Sequence, residues 1–195
     1  MPRPTGQPAL SFAPELLLKA QGRGPGMRCA IFDVDGVLTD GSLYVGEQGE
    51  VLKAFNTLDG HGLKLLARAG IVPLIITGRD SPAVRRRIAD LGLAHALYGI
   101  EDKLAAADAQ LAALGVGWQD TAAIGDDWPD LPLLQHAAFA CASANAHAEV
   151  KAVADHVTAA RGGRGAAREF CDLLLMAGGH YAASLQAHSR TLDAR

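Results

Sequence analysis

The stretch "AIFDVDGVLTDG", Ala30 to Gly41, decides the fold. Its first residues are apolar, as expected of a buried strand, and two aspartates, Asp33 and Asp35, follow one residue apart. The next residue is Gly36, which tolerates backbone conformations that other residues avoid. In open α/β sheets ligands bind beyond the carboxyl ends of strands, so this stretch indicates a polar site at the end of a buried strand.

Short apolar runs alternate with amphipathic runs along most of the chain. The runs predicted as strands are "RCAIFD", "IVPLII", "HALYG", "TAAIGD", "AFACA" and "DHVT". The runs predicted as helices are "DGHGLKLLARAG", "SPAVRRRIADLG", "EDKLAAADAQLAALG", "PDLPLLQHA", "NAHAEVKAVA" and "AAREFCDLLLMAGG". Strands that alternate with helices need crossover connections and a parallel sheet. We therefore expect an α/β fold over residues 27–178, a three-layer sandwich with a mostly parallel, Rossmann-like sheet.

One segment interrupts this alternation, residues 41–57, "GSLYVGEQGEVLKAFNT". It reads as two strands around the turn "GEQG", and it is too small to be a full cap domain. Because it follows the two aspartates directly, we expect a β-hairpin flap that stands over the ligand site. A lone hairpin is only marginally stable in water, so its apolar side chains are expected to pack on another subunit.

The two ends of the chain are expected to lie outside this fold. Residues 1–26 are rich in Pro and Gly, with one short helical candidate, "APELLLKA", and we expect a loose leader. Residues 179–195 form a polar C-terminal tail to which the sequence assigns no role.

Composition narrows the choice of partner. The net charge of −3 gives no electrostatic reason for a nucleic-acid partner, and the run Arg85 to Arg87 is most simply the solvated face of a helix. No apolar run is long enough to span a bilayer, so no membrane partner is expected. The three cysteines lack metal-ligand spacing and read as buried thiols of a reducing compartment, which favours the cytoplasm.

Six polar residues lie where predicted strands end or where the next helix begins: Asp33, Asp35, Thr77, Lys103, Asp126 and Asp127. Each has a simpler explanation on its own, as a turn residue, a strand exit, a surface lysine or a helix cap. In a parallel sheet, however, all of these positions share one edge. The sequence therefore predicts a single polar site there.

Carboxylates that converge on one edge repel each other unless a cation balances them. An all-oxygen ligand set suits Mg²⁺, which also keeps coordination sites for water and phosphate. Thr77 and Lys103 would add a hydroxyl donor and a positive charge for phosphate oxygens. A carboxylate nucleophile beside a second carboxyl group and a metal indicates phosphoryl transfer through an acyl phosphate.

The motifs "DVDGVLTDG", "TGR", a following lysine and "GDDWPDLP" occur in an order that resembles the haloacid dehalogenase superfamily of phosphatases, from about Met27 to Met176. The small flap is similar to that of its capless branch, whose members work as tetramers. "FDVDGVLTDG", "TGRDSPAVRRRIADLG" and "RGGRGAARE" look most like the members that act on 3-deoxy-D-manno-octulosonate 8-phosphate in lipopolysaccharide synthesis. The resemblance implies Mg²⁺-dependent hydrolysis of this sugar-acid phosphate by a homotetramer.

The resemblance also implies the roles of individual residues. Asp33 would attack phosphorus and become aspartyl phosphate, and Asp35 would protonate the departing sugar oxygen and then activate water. The carboxylates of Asp33 and Asp126 and the backbone carbonyl of Asp35 would hold Mg²⁺. Asp127 would act from just outside this ligand set. Gly36 would let the backbone bend around the transferring group.

Other residues would hold the substrate. Thr77, the backbone N–H of Gly78, and Lys103 would bind the phosphoryl oxygens. Arg79 is the first candidate for the sugar carboxylate because its position places it at the mouth of the site. Arg87 on the following helix is a second candidate, with solvated surface as the alternative. Relatives that act on nine-carbon sialic-type acid phosphates tend to carry an acid at the position of Arg79, so arginine favours the eight-carbon substrate.

Three alternatives stay open at this point. The same chemistry could act on a nine-carbon sialic-type acid 9-phosphate or another sugar phosphate. A phosphoacceptor receiver domain also gathers aspartates, threonine and lysine at strand ends, although its phosphorylated aspartate usually closes a middle strand and it has no flap. A catalytically inactive binding subunit is disfavoured because every expected chemical group is present.

Overall fold

The computed structural model describes residues 8–22 and 26–193. The strands are β1 (Cys29–Phe32), β2 (Tyr44–Gly46), β3 (Gly49–Leu52), β4 (Val72–Thr77), β5 (His95–Tyr98), β6 (Thr121–Gly125), β7 (Phe139–Ala142) and β8 (His156–Val157). The helices are α1 (Pro14–Gln21), α2 (Thr57–Arg68), α3 (Pro82–Leu91), α4 (Lys103–Leu114), α5 (Leu131–His136), α6 (Ala148–Val153), α7 (Ala166–Ala177) and α8 (Tyr181–Asp193). All six strands and all six helices predicted for the main domain are confirmed.

Six strands form one parallel sheet in the order β5-β4-β1-β6-β7-β8. β1 lies near the middle, where Ile31 pairs with Leu74 of β4 on one side and with Ala123 of β6 on the other. Because both neighbours are strands and both faces are covered by helices, β1 is a continuous apolar run with no exposed residue. This position places the residues that follow β1 at the centre of the carboxyl edge.

Two hydrophobic clusters fill the space between the sheet and the helices on its two faces. Alternate residues of β1 enter opposite clusters, Phe32 with residues of α2 and α7, and Ile31 with residues of α4 and α5. The edge-to-face contact of Phe32 with Phe170 of α7, at 5.3 Å between ring centroids, lies in the first cluster. The molecule is therefore the predicted three-layer α/β sandwich.

The predicted flap is present as a separate two-stranded sheet. β2 and β3 pair antiparallel, with Gly46 opposite Gly49 at the turn. Five apolar side chains on or beside the hairpin are 43–68% exposed: Leu43, Tyr44, Val45, Val51 and Leu52. The hairpin reaches the carboxyl edge through Lys53, which binds Asp35, and Glu50, which binds Ser81, and the described residues contain no further domain there.

The N-terminal segment differs from the loose leader expected over residues 1–26. Residues 14–21 form α1, which packs against α7, and Ala20 is 1% exposed within the first hydrophobic cluster. Leu16 and Leu17 also contact this cluster, so the apolar side of "APELLLKA" is long enough to cover part of α7. The expectation for residues 1–7 and 23–25 lies outside the described residues. At the other end of the chain, α8 packs on α7.

Candidate active site

The chain turns sharply as it leaves β1, and this turn presents the two aspartates. The carbonyl of Val34 accepts hydrogen bonds from the backbone N–H groups of Leu38 and Thr39, both at 2.9 Å. Val34 itself is fully buried, so the residues on either side of it, Asp33 and Asp35, face the open carboxyl edge. The spacing Asp-x-Asp therefore places one buried apolar residue between two carboxylates that face the cleft.

A cleft of about 500 Å³ opens at this edge. Of the site residues predicted from the sequence, those that line it are Asp33, Asp35, Thr77, Gly78, Arg79, Lys103, Asp126 and Asp127. They come from the ends of β1, β4 and β6 and from the start of α4. The predicted convergence of these residues on one edge is therefore present in the fold.

Lys103 lies at the floor of the cleft and holds two carboxylates. Its Nζ donates to Asp33 Oδ1 and to Asp130 Oδ1, each at 2.7 Å, and the side chains of all three residues are at most 8% exposed. Although burial lowers the pKa of the ammonium, the charges of Asp33 and Asp130 outweigh that effect and raise the pKa above its ordinary value. Lys103 is therefore a permanent cation in this site.

Asp130 is a functional residue that the sequence reasoning missed, although it is the last acid of the quoted motif "GDDWPDLP". Besides binding Lys103, it accepts through Oδ2 from the backbone N–H groups of Asp126 at 3.0 Å and Asp127 at 3.3 Å. Both of its oxygens are therefore engaged, and it orients the loop after β6 as well as the lysine.

Three carboxylates, those of Asp33, Asp126 and Asp130, have oxygen atoms within 4.8 Å of one another. Burial raises the pKa of Asp33 to about 7, and Asp130 adds to that rise while Lys103 opposes it. Burial, followed by the charges of Asp33, Asp130 and Asp127, raises the pKa of Asp126 to about 8. One lysine does not balance this many acids, so the donor set fits a hard divalent cation such as Mg²⁺.

The carboxylates of this cluster have room only because the residue beside them, Gly36, has no side chain. Gly36 has φ of +91°, and a Cβ there would lie 1.9 Å from Asp126 Oδ2. Any other residue at this position would displace the Asp126 carboxylate from the space beside Asp33. The glycine of the opening motif is therefore required both by its conformation and by the close approach of the Asp126 carboxylate.

Thr77 and Arg79 line the opposite wall. Thr77 ends β4, is 1% exposed, and accepts the backbone N–H of Arg79 through its hydroxyl at 3.4 Å. The Arg79 side chain is half exposed, with Nε 3.9 Å from Asp35 Oδ2. Arg79 thus lies at the mouth of the cleft, where its position in the sequence predicted it.

Comparison with known proteins identifies the family. A model described as haloacid dehalogenase-like hydrolase matches residues 99–169. The 3-deoxy-D-manno-octulosonate 8-phosphate phosphatase of Salmonella typhimurium is 42% identical over 167 residues, which are 86% of this chain and 87% of that protein. The chain belongs to the haloacid dehalogenase-like hydrolases.

Solved structures of other hydrolases of this kind have the same fold. A probable phosphatase from Pseudomonas syringae superposes with a TM-score of 0.85 at 45% identity and covers 92% of this chain and 98% of its own. The 3-deoxy-D-manno-octulosonate 8-phosphate phosphatase from Moraxella catarrhalis, in complex with magnesium, phosphate and KDO, superposes with a TM-score of 0.84 at 38% identity. The match covers 89% of this chain and 98% of that one.

Arg87 of this hydrolase does not line the cleft within one chain, so its role as a second substrate residue stays a prediction. Its Nη2 donates to the carbonyl of Asn56 at 3.3 Å, and its guanidinium lies 5.9 Å from the ring of Phe55. A Cβ at Gly60 would lie 2.3 Å from Arg87 Nη2, so the glycine in α2 makes room for the arginine. Within one chain the Arg87 guanidinium therefore packs between α2 and α3.

The "RGGRG" segment of the hydrolase, residues 161–165, lies behind the loop that carries Asp33 and Asp35. It does lead into a helix, as its sequence indicated, since α7 begins at Ala166. In addition, Gly163 N–H donates to the Val37 carbonyl at 2.9 Å, and a Cβ at Gly162 would lie 1.8 Å from the Gly36 carbonyl oxygen. The glycines therefore allow two backbone segments to touch, which fixes the turn that carries the two aspartates.

Proposed function

We propose that this chain is a Mg²⁺-dependent phosphomonoesterase that hydrolyses 3-deoxy-D-manno-octulosonate 8-phosphate, a step of lipopolysaccharide precursor synthesis. The observation that carries this proposal is the buried Asp33 carboxylate, bound to Lys103 at 2.7 Å and open to a cleft, in a chain 42% identical to a phosphatase of that name. The magnesium, phosphate and KDO bound in the Moraxella catarrhalis relative support the cofactor and the substrate class.

The chain's own residues divide the reaction into two steps. In the first, an Asp33 oxygen attacks phosphorus, the bond from phosphorus to the sugar oxygen breaks, and Asp35 gives its proton to that oxygen. In the second, Asp35 takes a proton from water, which attacks the phosphorus of aspartyl phosphate. The bond from phosphorus to the Asp33 oxygen breaks, so inorganic phosphate leaves and the Asp33 carboxylate is regenerated. Lys103 and Thr77 hold the phosphoryl oxygens in both steps.

Magnesium would be held by the Asp33 and Asp126 carboxylates and the Asp35 carbonyl, and it would offset negative charge on the transferring phosphoryl group. Asp130 is not assigned to the ion, because its two oxygens accept from Lys103 and from the loop after β6. Asp127 is exposed beside this ligand set. We assign it a supporting role there.

Substrate choice is assigned to Arg79. Its guanidinium lies at the cleft mouth beside Asp35, where the part of the substrate beyond the phosphate would lie. A cation in this place suits the carboxylate of an eight-carbon sugar acid. The nine-carbon sialic-type acid 9-phosphate remains the alternative substrate of the same chemistry.

The proposal is tested by phosphate release from 3-deoxy-D-manno-octulosonate 8-phosphate with Mg²⁺ and with EDTA, beside a nine-carbon sialic-type acid phosphate. We expect turnover that EDTA abolishes and Mg²⁺ restores, with kcat/KM for the eight-carbon acid at least about tenfold higher. Equal turnover of the nine-carbon acid would overturn the role given to Arg79. Absence of turnover for either acid, in folded protein that binds Mg²⁺, would overturn the proposed substrate class.

We further propose that the working form is a homotetramer assembled through the hairpin. The support is the group of five exposed apolar side chains on and beside β2 and β3, which a marginally stable hairpin would bury against another copy.

In the described residues no helix is long and apolar enough to cross a membrane, and the three cysteines are free and buried. Unpaired thiols support the proposed cytoplasmic location.

The double substitution Val45→Asp and Val51→Asp is expected to reduce the assembled mass, because it places charges in the centre of the apolar hairpin surface, where burial would leave them unpaired. Light scattering after size exclusion measures the mass directly. Leu18→Asp is the matched control, since Leu18 is 69% exposed on α1, a helix that packs on α7. An unchanged mass for the double variant would contradict assembly through the hairpin.

A further inference from the structure

A row of polar side chains connects the hairpin with the catalytic loop. Lys53, the residue after β3, donates from Nζ to Asp35 Oδ1 and lies 3.1 Å from Glu50 Oε2. Ser81, at the N-terminus of α3, uses its hydroxyl to donate to Glu50 Oε1 and makes no capping bond to its helix. The row therefore runs from α3 through the hairpin to Asp35.

The burial of Lys53 shows that this contact is built into the fold. Its side chain is 1% exposed, while those of Glu50 and Asp35 are 12% and 22% exposed. A buried ammonium group is tolerated only when it is paired, so the two carboxylates fix its position from both sides. Glu50 Oε2 is buried and has no hydrogen bond of good geometry, so its stabilisation comes from the charges of Lys53 at 3.1 Å and, more weakly, of Arg79, whose Nε is 4.0 Å away.

Lys53 is placed to act on Asp35 and not on the substrate. Asp35 and Arg79 line the cleft, whereas Lys53 is absent from its described lining. The other side-chain contacts of the Asp35 carboxylate are longer, 3.4 Å to the Thr39 hydroxyl and 3.9 Å to Arg79 Nε. The Lys53 ammonium is therefore the group that restricts the direction of the Asp35 carboxylate most closely.

We propose that Lys53 is a positioning residue for Asp35, with Glu50 holding Lys53, so that the hairpin supplies the alignment of the proton donor. The inference rests on the proposed function, in which Asp35 must deliver its proton to the oxygen that leaves phosphorus. Transfer is efficient only when the donor lies within hydrogen-bond reach of that oxygen. The hairpin is thus part of the catalytic apparatus as well as a surface for assembly.

Two substrates whose leaving groups differ in basicity distinguish the positioning role of Lys53 from a structural one. A sugar alkoxide needs a proton as it departs, whereas p-nitrophenolate does not. In Lys53→Gln we expect single-turnover release of the sugar from the octulosonate phosphate to slow by about 100-fold with little change in KM, as for a misplaced catalytic group. The rapid release of p-nitrophenolate from p-nitrophenyl phosphate should change by less than about threefold, since that step does not use the Asp35 proton.

Glu50→Gln is a second variant that keeps the shape of the side chain and removes its charge. It weakens the hold on Lys53 at 3.1 Å and, to a smaller extent, the longer contact with Arg79 Nε at 4.0 Å. It should show the same dependence on leaving group, with a smaller loss in the rate of sugar release. The double variant Lys53→Gln and Glu50→Gln should lose less rate than the product of the two single effects. Arg86→Gln is the matched control, because Arg86 is an exposed cation on α3 that pairs with Asp90. It should leave both rates unchanged.

Equal loss on both substrates in Lys53→Gln and Glu50→Gln, or a rise in KM alone, would overturn the positioning role. Melting curves of the variants show what fraction is folded, so a loss that matches unfolding counts against the proposal as well. Failure of the wild type to hydrolyse the octulosonate phosphate would instead overturn the proposed substrate. In that case a simple alkyl phosphate beside p-nitrophenyl phosphate still decides the role of Lys53.

Discussion

The Asp33→Asn substitution is expected to abolish phosphate release, with kcat lower by about 10⁴-fold or more, as for the loss of a nucleophile in other covalent enzymes. An amide oxygen does not form the acyl phosphate, although it fills the same space beside Lys103. Because the substitution also removes one charge from a cluster of buried acids, the folded protein should not be destabilised. Steady-state phosphate assays and melting curves measure the two effects separately.

The control for this experiment is Asp90→Asn, which removes an exposed carboxylate that pairs with Arg86 on α3. It should retain full activity. Acid quench of wild-type enzyme during turnover of phosphorus-labelled substrate should trap label on the protein, and Asp33→Asn should trap none. Trapped label in the variant would mean that another residue is the nucleophile.

The sequence predicted the fold well because its signals are local. Most strands of the parallel sheet are short apolar runs, and all but β1, which the hairpin follows, lead into a helix. Helix ends are also marked, since Gly92 and Gly115 end α3 and α4 in the left-handed conformation. Once the strands are parallel, their carboxyl ends share an edge. The grouping of Asp33, Thr77, Lys103 and Asp126 then follows from topology alone.

The residues that the sequence reasoning missed are those defined by contacts between distant segments. Asp130 binds Lys103, which is 27 residues away along the chain, and Lys53 binds Asp35, which is 18 residues away. The amide of Asn145 donates to the Gly36 carbonyl across 109 residues, at 3.1 Å. Nothing in the local pattern distinguishes these side chains from ordinary surface polar residues, although the position of Asp130 within "GDDWPD" was a usable signal.

The N-terminal segment shows the opposite error, because its composition was read too simply, while the substrate role of Arg87 stays a prediction. Pro and Gly around "APELLLKA" indicated a loose leader, yet the apolar side of α1 covers α7. Arg87 follows the "TGR" motif by only eight residues, but the direction of α3 turns it toward Asn56. Both outcomes depend on which face of a helix meets a neighbour, and sequence proximity does not determine that.

The Lys103→Met substitution is expected to reduce both stability and activity strongly. Removal of one partner from a buried ion pair costs about 3–5 kcal/mol, because the remaining charges are left unpaired. Loss of a cation that binds the transferring phosphoryl group should lower kcat by about 10²- to 10³-fold. Denaturant unfolding and phosphate assays, each with and without Mg²⁺, measure these effects.

The pH dependence of unfolding shows whether Lys103→Met destabilises the protein by leaving buried charges unpaired or by loss of packing alone. The pKa of Asp33 is already raised to about 7 with Lys103 present, and without the lysine it should rise further. A carboxyl group whose pKa is higher in the folded than in the unfolded protein binds more protons when folded, so stability falls as pH rises from about 4 toward the raised pKa. Without Mg²⁺ the stability deficit of Lys103→Met should therefore be small near pH 4 and large at pH 8, and Mg²⁺ should recover part of it. A deficit that does not change with pH would mean that Lys103 contributes packing alone, and the charge balance inferred for this site would be wrong.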